Sequence, residues 1–164
     1  MRTWISLLLA TLASALSPTA LAADKTALVL LPQVLAEAKK WQADGALVNI
    51  DTQSASPKGT APMWAYAFYS PKTKQKALIM ADGQGKPSRE ASMYFRTAPV
   101  GEFSVDSDKA MATAVKNGLK VNNFGMGMSL ESNSGKPEWR MFDTTHFYYV
   151  DAVGGKFLRK EKTD

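Results

Sequence analysis

The 164-residue sequence has no cysteine and one histidine, His146. Without thiols it can form no disulfide and no thiolate metal site, and it offers no cysteine for a lipid anchor, so the fold must rest on its buried core. About 140 residues beyond an N-terminal leader suffice for one domain or two small ones. Long apolar runs are missing too: nothing after residue 22 approaches the ~20 residues that span a bilayer. The charge excess is small, 20 Lys and Arg against 15 Asp and Glu. Part of it sits in Lys156, Arg159, Lys160 and Lys162, a tail offset by Glu161 and Asp164. Nucleic-acid binding needs a clustered basic face interleaved with exposed aromatics, so no nucleic-acid partner is expected.

Residues 1–22 read as a signal peptide. Met1-Arg2 is the positive start, Ile5 to Leu16 the apolar run, and Ala20-Leu21-Ala22 an A-x-A cleavage pattern. The expected location is periplasmic or secreted, with no membrane span once the leader is removed.

The mature chain alternates helix and strand signals. Val29 to Ala43 predicts a helix with Pro32 in its first turn and an apolar stripe of Val34, Leu35, Ala38 and Trp41, stopped at Asp44-Gly45. A strand over Ala46–Thr52 and a Pro- and Gly-bearing loop over Gln53–Pro62 follow. Met63–Tyr69 alternates, with Trp64, Tyr66 and Phe68 on one face. Lys76–Ala81 is the return strand, Asp82 to Lys86 a turn, and Ser88–Arg96 a further strand around Met93 and Phe95. Asp106 or Ser107 caps a second helix with Ala110, Met111, Ala114 and Val115 on its apolar side, ended by Asn117-Gly118. Strands are then expected over 123–132, 138–143, 146–150 and 156–160.

The two halves repeat this order. Gly45 precedes Trp64 by 19 positions and Gly118 precedes Trp139 by 21, while each tryptophan strand leads to an Asp turn, Asp82 and Asp151. The expectation is an α+β fold of two tandem units, residues 23–98 and 99–164. Each unit is one helix packed on an antiparallel sheet of about four strands.

The run DSDKAMATAVKNG…MSLES…PEWRMF…FYYVDAVGGKFLRKE resembles a PepSY domain. It carries paired alanines (Ala110, Ala114), a tryptophan strand (Trp139), a return strand ending Val150-Asp151-Ala152, and a Gly155-Lys156 turn. Ala36 to Lys86 resembles it in the Trp64 strand and Asp82-Gly-x-Gly-Lys86. The resemblance implies a small extracytoplasmic α+β fold, cystatin-like in outline, of the kind found in protease propeptides and free-standing secreted proteins, with protease inhibition as its proposed role. A tandem of such units also resembles secreted β-lactamase-inhibitory proteins and outer-membrane assembly lipoproteins; the missing lipid-attachment cysteine speaks against the latter.

No catalytic pattern stands out. His146 lies near Asp143 and Asp151, but no serine sits in a nucleophile-elbow sequence. Met126 and Met128 share a strand face, which suits either Cu(I) with help from Met141 and His146, or an apolar core. Asp82 and Asp151 with their glycines fit turns better than calcium loops, which need oxygen ligands at alternate positions. Glu131 and Glu138 show no spacing that pairs them for glycoside hydrolysis. Tyr69 and the Tyr148 face are expected outside, as a partner-binding surface or a seam between units. The sequence therefore predicts a non-enzymatic exported binding module without a cofactor, an inhibitor or modulator of another exported protein such as a hydrolase. The alternative is a small-ligand or copper carrier using the sheet face.

Overall fold

The computed structural model describes residues 23–163 except Gly85, Phe95, Asn123 and Phe124. The expected signal peptide lies outside the described residues, as do Phe95 of the strand expected at 88–96 and the first two residues of the one expected at 123–132.

The elements in order are α1 (Ala27–Trp41), β1 (Ala46–Ala55), β2 (Trp64–Tyr69), β3 (Lys76–Ala81), β4 (Ser88–Ala91), α2 (Ser107–Lys116), β5 (Met126–Asn133), β6 (Lys136–Phe142), β7 (His146–Asp151) and β8 (Phe157–Lys162). No described helix is long and apolar enough to cross a membrane. All eight strands join in one antiparallel sheet, in the order β4-β3-β2-β1-β5-β6-β7-β8.

That sheet overturns the expectation of two tandem helix-on-four-strand units. β1 pairs directly with β5, Ile50 opposite Leu130 and Asp51 opposite Ser129, so hydrogen bonds run unbroken from one half to the other. One core row crosses the seam: Ile79, Tyr66, Ile50, Leu130, Trp139 and Val150 are successive cross-strand partners, and all are fully buried. The reason is elementary. A four-stranded sheet whose first strand is apolar on its core face leaves that strand's N–H and C=O groups unpaired, and joining the two β1-type edges satisfies both.

Both helices lie on the same face. α1 buries Ala27, Leu30, Val34 and Ala38, a stripe at helical spacing. Leu35, expected inside, is 38% exposed, because Leu30 rather than Leu35 continues the Val34–Ala38 line. α2 buries Ser107, Ala110, Met111 and Ala114 and leaves Val115 outside. Each helix start is held by a tryptophan from the sheet. The Trp64 indole N–H donates to the Lys25 carbonyl at 2.8 Å, and the Trp139 indole to the Val105 carbonyl at 2.7 Å. The helix N-termini also meet. Ser107 Oγ accepts from Ala27 N at 3.1 Å, and the Asp106 carboxylate accepts from both Leu28 N and Ser107 N. Gly59, at φ 72°, brings its loop against the backbone of Ser107 and Asp108, where a Cβ has no room.

Sequence and structure part at β4. It spans only Ser88–Ala91, is exposed throughout, and Met93 beyond it is 93% exposed. The chain then returns across the sheet face that carries no helix. Arg96 reaches Glu131 on β5 at 3.0 Å, and Val100 N donates to Leu47 O on β1.

Candidate functional site

The helix-free face is built by strand parity. Residues opposite the core row form cross-strand rows of their own. One reads Asn49, Glu131, Glu138, Asp151 across β1, β5, β6 and β7. The next reads Asp51, Ser129, Arg140, Tyr149, Arg159 and extends to β8. In a third, Phe142 pairs with Phe147 and Phe147 with Glu161.

Charges are paired over most of this surface. Glu131 holds Arg96 at 3.0 Å and Arg140 at 3.7 Å. Glu138 accepts from Arg159 at 2.8 Å and from Asn133 at 3.1 Å, and Arg159 also binds Glu161 at 2.7 Å. The arginines double as covers for aromatic rings: Arg140 lies 5.2 Å from the Phe147 centroid and Arg159 3.7 Å from that of Tyr149. Phe142, Phe147 and Tyr149 form a chain, with centroid separations of 5.1 and 6.5 Å. Hydrogen bonds accepted from Arg159 and from Tyr149 hold the Glu161 carboxyl below its ordinary range.

A hollow of about 230 Å³ opens between β1, β5 and β6, walled by Tyr94, Phe142 and Phe147, with Asp51, Ser129 and Arg140 around it. Burial pushes the Asp51 carboxyl up and, as the largest cause, the Tyr94 phenol too; the charges of Arg96, Glu131, Asp51 and Arg140 all act on Tyr94. Larger depressions lie elsewhere, such as one of about 470 Å³ between Trp41 and Lys76, Arg89 and Glu90.

The residues singled out in the sequence fall differently. Tyr148 is in the core at 1% exposure, its hydroxyl donating to Gly118 O at 2.8 Å. Its neighbour Tyr149 takes the helix-free face. Tyr69, half-buried, ends β2 opposite Ala46. Met126 and Met128 are buried at 4% and 1%, with Met128 opposite Met141. His146 is half-buried, with Nδ1 2.8 Å from Thr145 Oγ1 and its ring edge-on to Tyr148. Among the described residues no three of His, Cys, Asp or Glu cluster as metal ligands. The turn reading of Asp82 and Asp151 agrees with their hydrogen bonds, since Asp82 accepts from Gln84 N and Asp151 from Val153 N and Gly154 N.

Sequence reasoning missed the Glu131–Glu138 juxtaposition. The signal was present: Ser134 (φ 50°) and Gly135 (φ 81°) form a two-residue hairpin turn. That turn sets Asn133 opposite Lys136, and therefore Glu131 opposite Glu138.

No family model and no curated protein matches the chain. Among solved structures, its fold is similar to that of a "putative lipoprotein" from Clostridium difficile 630. The TM-score is 0.53 at 15% identity, covering 81% of this chain and 92% of the other. At that identity the likeness is one of fold.

Proposed function

We propose that this chain is an exported, non-enzymatic recognition module whose helix-free sheet face docks on another exported protein. The observation that carries the reading is the Phe142, Phe147, Tyr149, Arg140 and Arg159 surface. Aromatics and arginine are the residues that anchor protein interfaces. Here their side chains are held in place by ion pairs and ring contacts before any partner arrives, which lowers the ordering cost of binding. Periplasmic or secreted location is supported by the signal-peptide pattern of residues 1–22 and by likeness in fold to a protein described as a lipoprotein. The PepSY-like residues favour inhibition or modulation of a hydrolase as the outcome of docking. A protein partner suits the face better than a small molecule: Arg140, Phe142, Phe147, Tyr149 and Arg159 are spread over β6, β7 and β8 rather than gathered round one cavity.

The test is capture of exported proteins by the purified chain, compared with Phe147→Asp and Tyr149→Asp variants shown by circular dichroism to be folded. Loss of one captured species with both variants supports the reading. A species captured equally by all three proteins sinks it.

A further inference from the structure

Asp51 differs from every other acid around the hollow. Glu131, Glu138 and Glu161 each hold an arginine. Among the described residues no ion pair or hydrogen bond reaches the Asp51 carboxylate. Arg140, two strands along the same cross-strand row, is turned to Glu131 and lies over Phe147 instead. Burial disfavours the charged form of Asp51, so this side chain costs the fold stability without a compensating partner inside the molecule. Its cross-strand neighbour Ser129 is 8% exposed, and its enclosed hydroxyl has no hydrogen-bond partner. A half-buried carboxylate without an ion-pair partner thus stands beside an enclosed, unsatisfied hydroxyl on one strand pair.

Asp51 also borders two hollows. The first is the aromatic-walled one of about 230 Å³; the second, of about 250 Å³, is lined by Met63, Ala65 and Met80. Each has the volume of a side chain rather than of a metabolite. An apolar trough ending at an unpaired carboxylate, with aromatic rings beyond it, matches a long amphipathic cation: methylenes along the methionines, positive head at the acid.

We propose that Asp51 is the counter-ion for a lysine or arginine side chain presented by the exported partner, its stem along Met63, Ala65 and Met80. This rests on the reading of the helix-free face as a docking surface, and adds to it the chemistry of the residue that docks. Tyr94, Arg96, Arg140 and Glu131 are the charged and titratable groups around the seat, and both arginines are turned to Glu131, which they share. The chain as a whole is cationic, +5 at neutral pH. The attraction is therefore local and made on contact, not by long-range steering.

The experiment is an NMR titration of the full chain with N-acetyl-arginine methylamide and N-acetyl-lysine methylamide, with the norleucine and glutamate analogues as controls. The expected result is saturable amide shifts at Asp51, Ser129 and Ala65 with the two cations alone, weakened about tenfold or more in Asp51→Asn, as when one partner of a desolvated pair is removed. Thermal unfolding guards against a misfolded variant: Asp51→Asn has a higher midpoint than wild type at pH 7. The inference is overturned by absence of saturable shifts, by equal shifts with norleucine, or by equal binding to Asp51→Asn. Capture of the exported partner separates this from the docking reading. If Phe147→Asp abolishes capture while Asp51→Asn captures like wild type, the anchor is lost and the docking face stands. If neither variant affects capture, the docking face falls as well.

Discussion

Trp64 and Trp139 meet edge to face at the centre of the molecule, 6.2 Å between ring centroids and 72° between planes. Each also fastens the start of a different helix through its indole N–H. One aromatic pair thus ties α1, α2 and both halves of the sheet into one core. Trp139→Ala removes a fully buried ring, its edge contact and the partner of the Val105 carbonyl, with an expected loss of about 3–5 kcal/mol. Because the core row crosses the seam, far-UV circular dichroism and tryptophan fluorescence are expected to follow a single denaturation transition in the wild type. Two separated transitions would show that β1–β5 pairing does not bind the halves into one cooperative unit.

The second prediction concerns Asp106, which serves two helices. Its Oδ1 accepts from Leu28 N at 3.0 Å in α1 and from Ser107 N at 2.6 Å in α2, while Ser107 Oγ accepts from Ala27 N. Thr26, at the N-cap position of α1, makes no side-chain cap bond. Asp106→Ala strips donors at both N-termini at once, so the expected loss is about 1–3 kcal/mol, above the ~1 kcal/mol of an ordinary cap. Chemical denaturation measures it, and hydrogen exchange should show the Ala27 and Leu28 amides among those that lose protection.

Much of this arrangement was legible, and what was not has definite causes. Period-two alternation placed Trp64, Tyr66 and Phe68 inside, and Asn117-Gly118 marked the end of α2, whereas α1 ends at Trp41, before the Asp44-Gly45 stop. Alternation states which residues share a face. It does not state which strand lies beside which, so the β1–β5 seam was invisible: Ile50 and Leu130 are far apart in sequence, and nothing local pairs them. Tyr148 was misplaced because a tyrosine hydroxyl suggests a surface, whereas a backbone acceptor at Gly118 lets the ring go inside. The site was hidden for a related reason. Asp51, Ser129 and Arg140 come from three strands, and only sheet order makes them neighbours.

The third prediction turns on pH. Asp143 accepts from Thr145 N, Thr145 Oγ1 and His146 N, each within 2.9 Å. Burial pushes its carboxyl up, but these bonds outweigh burial and hold its pKa at about 2. The folded value lies below the unfolded value of 3.8, so the ionised form stabilises the fold. That contribution is whole above the unfolded pKa and disappears as pH falls through about 2. Asp143→Asn is therefore expected to be less stable than wild type at neutral pH, with the gap closing on acidification through this window. Denaturation midpoints across the pH series measure the gap; one that stays constant down to the acid limit would contradict this account.

The last prediction tests whether the paired charges of the helix-free face hold the sheet. Glu131 and Glu138 stand opposite each other on β5 and β6, only 7% and 8% exposed. Like charges so placed repel, and each is kept by its own arginines. Arg159→Met leaves Glu138 beside Glu131 with only Asn133 as a hydrogen-bond donor, and also uncovers the Tyr149 ring. The arginine is one-third exposed, so the expected loss is about 1–3 kcal/mol, less than for a fully buried pair. Glu138→Gln in the same background removes the repulsion and should recover part of it. A double-mutant cycle by urea denaturation gives the coupling directly. A coupling near zero would mean that strand pairing alone sets these side chains, and that the face is not ordered by its charges before a partner binds.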